Sequence, residues 1–179
     1  AMTKRCDRRG ILERLRGRLV SGRPVIGTCA GLILLAKRVE GGIPCLATMD
    51  ITAVRNAYGR QLGSFQTNAV VAGVGEVPMT FIRAPCVCDP GSAVAVLAEV
   101  DGRIVSVREG NQPALAFHPE LDPDTRIHAY FLAMAAGNCF SFFGFGSAPL
   151  RCADQEEALI FVYYLLPRSV SLPLAPCIT

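Results

Sequence analysis

No C-x-x-C pair, no cluster of histidines and no apolar run long enough to cross a bilayer occurs in this 179-residue sequence. A membrane-spanning helix needs about twenty apolar residues. The longest uncharged apolar run near the carboxyl end, Ala158 to Leu166, is nine. The eight cysteines are Cys6, Cys29, Cys45, Cys86, Cys88, Cys139, Cys152 and Cys177, and only Cys86-Val87-Cys88 pairs two of them closely. No second pair or nearby histidine completes four ligands around that C-x-C, so no metal is expected there. Mostly free thiols in a reducing cytosol are expected instead. The basic start (Lys4, Arg5, Arg8, Arg9) is followed by no apolar stretch, so no secretory signal is expected. Net charge is only +3 and the arginines are scattered, so neither nucleic acid nor a membrane surface is implied. There is no internal repeat. What remains is a chain of one-domain length that is 51% hydrophobic, with mean hydropathy +0.35. That balance suits a buried parallel sheet or a large partner surface.

The informative stretch is Pro24-Val25-Ile26-Gly27-Thr28-Cys29-Ala30-Gly31, followed by the Ala/Leu-rich run Leu32 to Ala36. A short apolar run ending in G-x-C-x-G and passing straight into a helix is the pattern of a sharp strand-to-helix turn that displays a nucleophile. The glycines permit the turn and a close approach of neighbouring backbone. The sulfur of Cys29 would then lie at the positive end of the following helix, which favours a thiolate. The bland reading is a small buried cysteine between glycines.

Far downstream, Pro113 to Glu120 carries one of the two histidines. Pro119 should hold His118 extended, and at a spacing of two His118 and Glu120 then point to one side. A carboxylate so placed fixes the imidazole tautomer that takes a proton from a thiol. Cys29, His118 and Glu120 thus form a candidate nucleophile, base and orienter. The competing reading of His118 is a core histidine bonded to a backbone carbonyl.

Around these motifs, residues 8–21 place Ile11, Leu12, Leu15 and Leu19 on one face of a helix that Gly22 ends. The elbow helix should run to about Arg38. Strands are expected over Leu46–Val54, Ser64–Ala72, Met79–Arg83, Ala93–Val100 and Arg103–Arg108, the last two joined by an Asp101-Gly102 hairpin. Asp122-Pro123-Asp124 should cap a helix with Ile127, Tyr130, Phe131 and Met134 at core spacing, His128 being a surface or packing residue. This order suits a three-layer α/β domain with inserted antiparallel strands. Composition breaks near Ala136. The stretch beyond it has no clean periodicity.

The cysteine elbow with His-Pro-Glu resembles the class I (triad) glutamine amidotransferases. Two further segments are similar to signatures of one family among them. Val54-Arg55-Asn56-Ala57-Tyr58-Gly59-Arg60-Gln61 with Ser64-Phe65 matches R-N-x-[FY]-G-R-Q-x-x-S-F, and Phe81-Ile82-Arg83-Ala84-Pro85 matches F-I-R-A-P. The family is the glutaminase subunit of pyridoxal 5'-phosphate synthase, the PdxT/SNO proteins. The resemblance implies a flavodoxin-like three-layer α/β sandwich with a mainly parallel central sheet. It implies a glutamine amidotransferase domain over 1–136 and leaves 137–179 as an unmatched tail. It makes Cys29 the nucleophile forming a γ-glutamyl thioester, His118 the base and acid, and Glu120 its partner. Arg55, Ile82 and Arg83 become contacts of L-glutamine, a role for which a guanidinium suits the α-carboxylate. A structural ion pair is the alternative for each arginine. The N–H of Ala30 becomes an oxyanion donor. The glutaminase needs no cofactor and no metal, is cytoplasmic, and has a PdxS/SNZ-type synthase subunit as partner, pyridoxal phosphate being that partner's product.

The sequence departs from the family where it opens. The family's first strand and its Gly-Gly-Glu-Ser loop have no counterpart ahead of the elbow, so an unpaired sheet edge and impaired glutaminase activity are expected. Two alternatives follow: a family member that keeps only the synthase-binding role, and another cysteine-elbow hydrolase of peptidase or deglycase type.

Overall fold

The computed structural model describes residues 11–58, 63–136 and 160–162. Helix α1 (Ile11–Val20) is amphipathic: Leu19 is buried and Leu12 and Leu15 pack against the core, while Ile11, expected on the same face, is exposed at the helix start. Gly22, at φ 87°, turns the chain into β1 (Val25–Thr28), every residue of which is buried. The elbow follows, and then α2 (Ala30–Leu35).

Here the structure is shorter than the sequence suggests. α2 stops at Leu35 instead of continuing to Arg38, because Ala36 is extended (φ −62°, ψ 134°) and Ala36–Val39 forms β2. This strand pairs in parallel with β3 (Met49–Val54). Arg38 bridges the pair, bonding Asp50 at 2.8 Å and Thr52 at 2.9 Å. Those cross-strand contacts hold in a ladder a segment whose local composition suits a helix.

β4 (Ser64–Val71) and β5 (Gly75–Ile82) form a separate two-stranded ribbon, in register from Ser64↔Ile82 to Val71↔Gly75. β6 (Cys86–Cys88), β7 (Ala95–Val100), β8 (Arg103–Glu109) and β9 (Gln112–Leu115) then return to the main sheet. Asp101 and Gly102 both have positive φ, 51° and 68°, as a two-residue hairpin turn requires. α3 (Arg126–Ala135) buries Ile127 and Phe131, and the Asp124 carboxylate accepts the Arg126 N–H at its start.

With β10 (Ile160–Val162) the main sheet has, among the described residues, eight strands in the order β10-β1-β9-β8-β6-β3-β2, with β7 on β8. It is mixed, not mainly parallel. β1 is parallel to β9 and β10, and β2 to β3, but the β3–β6, β6–β8, β7–β8 and β8–β9 pairs are antiparallel. For two of these pairs the cause is local: tight turns at Asp101-Gly102 and Gly110-Asn111 leave no length for a crossover, so β7–β8 and β8–β9 must run antiparallel. The open edge expected beside the elbow strand is not found either. β10 pairs with it, Val25↔Ile160 to Gly27↔Val162, so β1 has a neighbour on both sides.

Candidate active site

Two neighbouring parallel strands set the site. β1 ends at Thr28 and β9 at Leu115, in register Gly27↔Ala114 and Thr28↔Leu115, and the ladder extends by a Cys29 N–H to Leu115 carbonyl bond of 2.7 Å. Residues just beyond the carboxyl ends of these strands therefore lie together. On β1 that residue is Cys29. On β9 the chain continues through buried Ala116 and Phe117 to His118.

Cys29 has φ 47° and ψ −98°, a conformation costly for any residue with a Cβ, on the order of 1–3 kcal/mol. Its neighbours hold it there. A Cβ on Gly27 would lie 2.8 Å from Leu35 Cδ1 and 2.9 Å from the Gly31 carbonyl carbon, so the last turn of β1 presses directly on α2. Both glycines of the motif thus meet across the elbow. The half-buried Cys29 thiol faces the Ile82 carbonyl, with Sγ 3.8 Å from its oxygen.

His118 is 6% exposed. Its N–H donates to the Thr80 carbonyl at 2.8 Å, its Nδ1 lies 2.8 Å from Glu120 Oε1, and its ring interacts with the Cys29 side chain. Glu120 occupies Nδ1, so Nε2 is the nitrogen left for the sulfur. The Cys29 side chain, and after it Glu120, raise the His118 pKa to about 9 against the opposing effect of burial. The imidazole is thus a cation at neutral pH, held between a sulfur and a carboxylate.

The route by which His118 and Glu120 meet differs from an extended chain. Pro119–Leu121 is a 3₁₀ turn with Pro119 at its first position, and Leu121 N–H returns to the His118 carbonyl at 3.1 Å. Proline's fixed φ and missing N–H suit the first residue of a helical turn. The turn, rather than strand alternation, swings Glu120 back toward the ring.

Of the remaining candidates, Ile82 and Ala30 adjoin the elbow, Arg83 follows Ile82, and Arg55 lies past β3. Ile82 supplies the carbonyl facing Cys29, and Arg83 follows it at φ 44°, its N–H bonded to the Gly63 carbonyl at 2.6 Å and its side chain exposed. Ala30 is the first residue of α2, where a backbone N–H has no acceptor within the helix. Arg55 is exposed just past β3, with Nη1 4.0 Å from where a Gly42 Cβ would stand. Among the described residues no carboxylate pairs with Arg55 or Arg83. Arg60 and Gln61, read as loop-ordering or partner-contact residues, lie outside the described residues. Tyr58 of the R-N-x-Y-G stretch packs on Phe65 and Phe81 with ring centroids 4.9 and 5.7 Å away, and Phe81 meets Phe117 at 5.9 Å. That aromatic stack backs the residue next to His118.

Sequence reasoning missed Thr80. Its carbonyl holds the His118 N–H, and its hydroxyl lies 2.9 Å from both Gln66 Nε2 and Asp122 Oδ1. The available signal was a lone hydroxyl residue between Met79 and Phe81, both fully buried.

The model of the SNO glutamine amidotransferase family matches residues 1–136. The chain is 62% identical over 136 residues to the pyridoxal 5'-phosphate synthase subunit PdxT of Methanocorpusculum labreanum, covering 76% of this chain and 72% of that protein. It is 51% identical over 125 residues to the PdxT of Streptococcus pneumoniae, of which it spans 65% while 69% of this chain is matched. A crystal structure of a glutamine amidotransferase superposes with a TM-score of 0.71 at 41% identity, over 75% of this chain and 72% of that one.

Proposed function

The chain belongs to the SNO glutamine amidotransferase family, and on that premise we propose that it is a glutaminase that supplies ammonia for pyridoxal 5'-phosphate synthesis. The observation that carries this reading is His118 held between the Cys29 side chain and Glu120, with Nδ1 committed to the carboxylate.

The chemistry follows from that arrangement. With its proton already on His118, the Cys29 sulfur attacks the side-chain amide carbon of L-glutamine, and charge builds on the amide oxygen within reach of the Ala30 N–H. One such donor is worth about 10²–10³ in rate in hydrolases. The carbon–nitrogen bond breaks as His118 gives its proton to the departing nitrogen, which leaves as ammonia. A γ-glutamyl thioester remains on Cys29. Neutral His118 then takes a proton from water, the water oxygen attacks the thioester carbon, and the carbon–sulfur bond breaks. Glutamate leaves, with the sulfur and the imidazolium restored. Glu120 keeps the ring oriented and stabilises its charge in both halves.

Arg55, Arg83 and the Ile82 carbonyl are the proposed contacts of the amino-acid end of glutamine. Two guanidiniums without a carboxylate partner among the described residues, and an acceptor facing the sulfur, suit a carboxylate and an ammonium. No cofactor or metal takes part in these steps. The ammonia acceptor is a PdxS/SNZ-type synthase subunit, and a cytoplasmic setting suits both. No helix among the described residues is long and apolar enough to cross a membrane.

The test mixes the full chain with a synthase subunit and measures glutamate release and labelling of Cys29 by a glutamine-like diazo-ketone. Release and labelling that both vanish in His118→Ala are expected. Absence of both in the unaltered chain, with and without the synthase, would overturn the proposal.

A further inference from the structure

Thr80 lies on the β4–β5 ribbon, outside the sheet that carries Cys29 and His118, yet it holds the His118 turn at both ends. Its carbonyl accepts the His118 N–H at 2.8 Å. Its hydroxyl accepts from Gln66 Nε2 at 2.9 Å and donates to Asp122 Oδ1 at 2.9 Å. A hydroxyl has one proton to give, so the direction is fixed: the Gln66 amide donates, Thr80 relays and the Asp122 carboxylate receives. Asp122 closes the Pro119–Leu121 turn, its own N–H reaching the Pro119 carbonyl at 3.3 Å. One threonine thus fixes the residue before the turn through its backbone and the residue after it through its side chain. Glu120 sits between those anchors. Thr80 is 8% exposed, so water competes little for these bonds.

We propose that Thr80, with Gln66 and Asp122, is a positioning residue that sets the His118–Glu120 pair against Cys29. The proposal rests on the reading of His118 as the proton carrier of the glutaminase. A turn anchored at one end only can pivot, and displacement of a reacting group by about 1 Å costs on the order of a hundredfold in rate. The titratable groups that meet the imidazole are Cys29 from the elbow and Glu120 from the turn, whereas Asp122 meets Thr80. Loss of the Thr80 hydroxyl therefore changes how His118 is held against Cys29, through geometry.

The experiment compares the full chain with Thr80→Val, Thr80→Ser and Asp122→Ala. The first readout is the pH profile of iodoacetamide alkylation at Cys29, followed by mass mapping of its peptide, which needs no glutamine. The second is glutamate release with the synthase subunit. Thr80→Val should shift the alkylation profile and lower kcat about ten- to a hundredfold with KM within about twofold. Thr80→Ser should restore both, and Asp122→Ala, which leaves β5 untouched, should repeat the loss even if Thr80→Val fails to fold. Unchanged profiles in Thr80→Val and Asp122→Ala would overturn the proposal, as would a Thr80→Ser variant as impaired as Thr80→Val. If the unaltered chain released no glutamate, the glutaminase reading would fail, while the alkylation profiles would still decide the role of Thr80.

Discussion

A protonated imidazole with a sulfur on one side and a carboxylate on the other is a store of folding energy that depends on pH. Cys29 first and Glu120 second raise His118 from an ordinary 6.5 to about 9 in the folded chain. A group whose pKa rises on folding stabilises the fold in full below its unfolded value, and loses that contribution as pH climbs through its folded value. Stability relative to a His118→Ala variant should therefore be greatest below pH 6.5 and shrink between 6.5 and about 9. Melting temperatures of the two proteins across that range check this, and a constant gap contradicts it. At this scale much of the site was legible. G-x-C-x-G and H-P-E singled out Cys29, His118 and Glu120, and the structure sets His118 against the other two, though through a 3₁₀ turn where an extended chain was expected. Thr80 could not be read. Its hydroxyl reaches Asp122, 42 positions away, and its carbonyl holds the His118 N–H, whereas the local signal shows only a hydroxyl between two buried residues.

The elements show where local signals lose to tertiary ones. The Asp101-Gly102 hairpin and the strand at Ser64–Val71 follow the sequence pattern, since turn chemistry and β-branched alternation act within a few residues. The far end of the elbow helix does not. Ala36 to Val39 joins β3 through Arg38, Asp50 and Thr52, and no periodicity in the segment announces that partner. The mixed sheet escaped for the same reason: apolar runs reveal strands but not their neighbours. The elbow itself is set by contact between elements. Because a Cβ on Gly27 would press into Leu35 and the Gly31 backbone, Gly27→Ala should destabilise the fold by about 1–3 kcal/mol. It should also slow iodoacetamide at Cys29 as β1 and α2 move apart. Denaturant unfolding with mapped alkylation measures both, and an alanine variant as stable as the parent would refute the close packing.

Across the whole molecule, β10 reaches the elbow strand from beyond the stretch matched by the family model. An uncovered strand edge invites pairing with another chain. Removal of residues 137–179 should therefore speed amide exchange over Val25–Thr28 and raise the apparent mass in light scattering. Exchange unchanged over that segment would mean that β10 contributes no protection.

The parallel register of β1 against β9 has one more consequence. Side chains in a strand alternate between faces, and each residue advances the chain about 3.3 Å. A slip of one place between these two strands would carry the sulfur that far from the imidazole and also turn it to the reverse side of the sheet. The pair is thus engaged or lost as a unit, with no intermediate setting, and the ladder works as a ratchet tooth rather than a sliding scale.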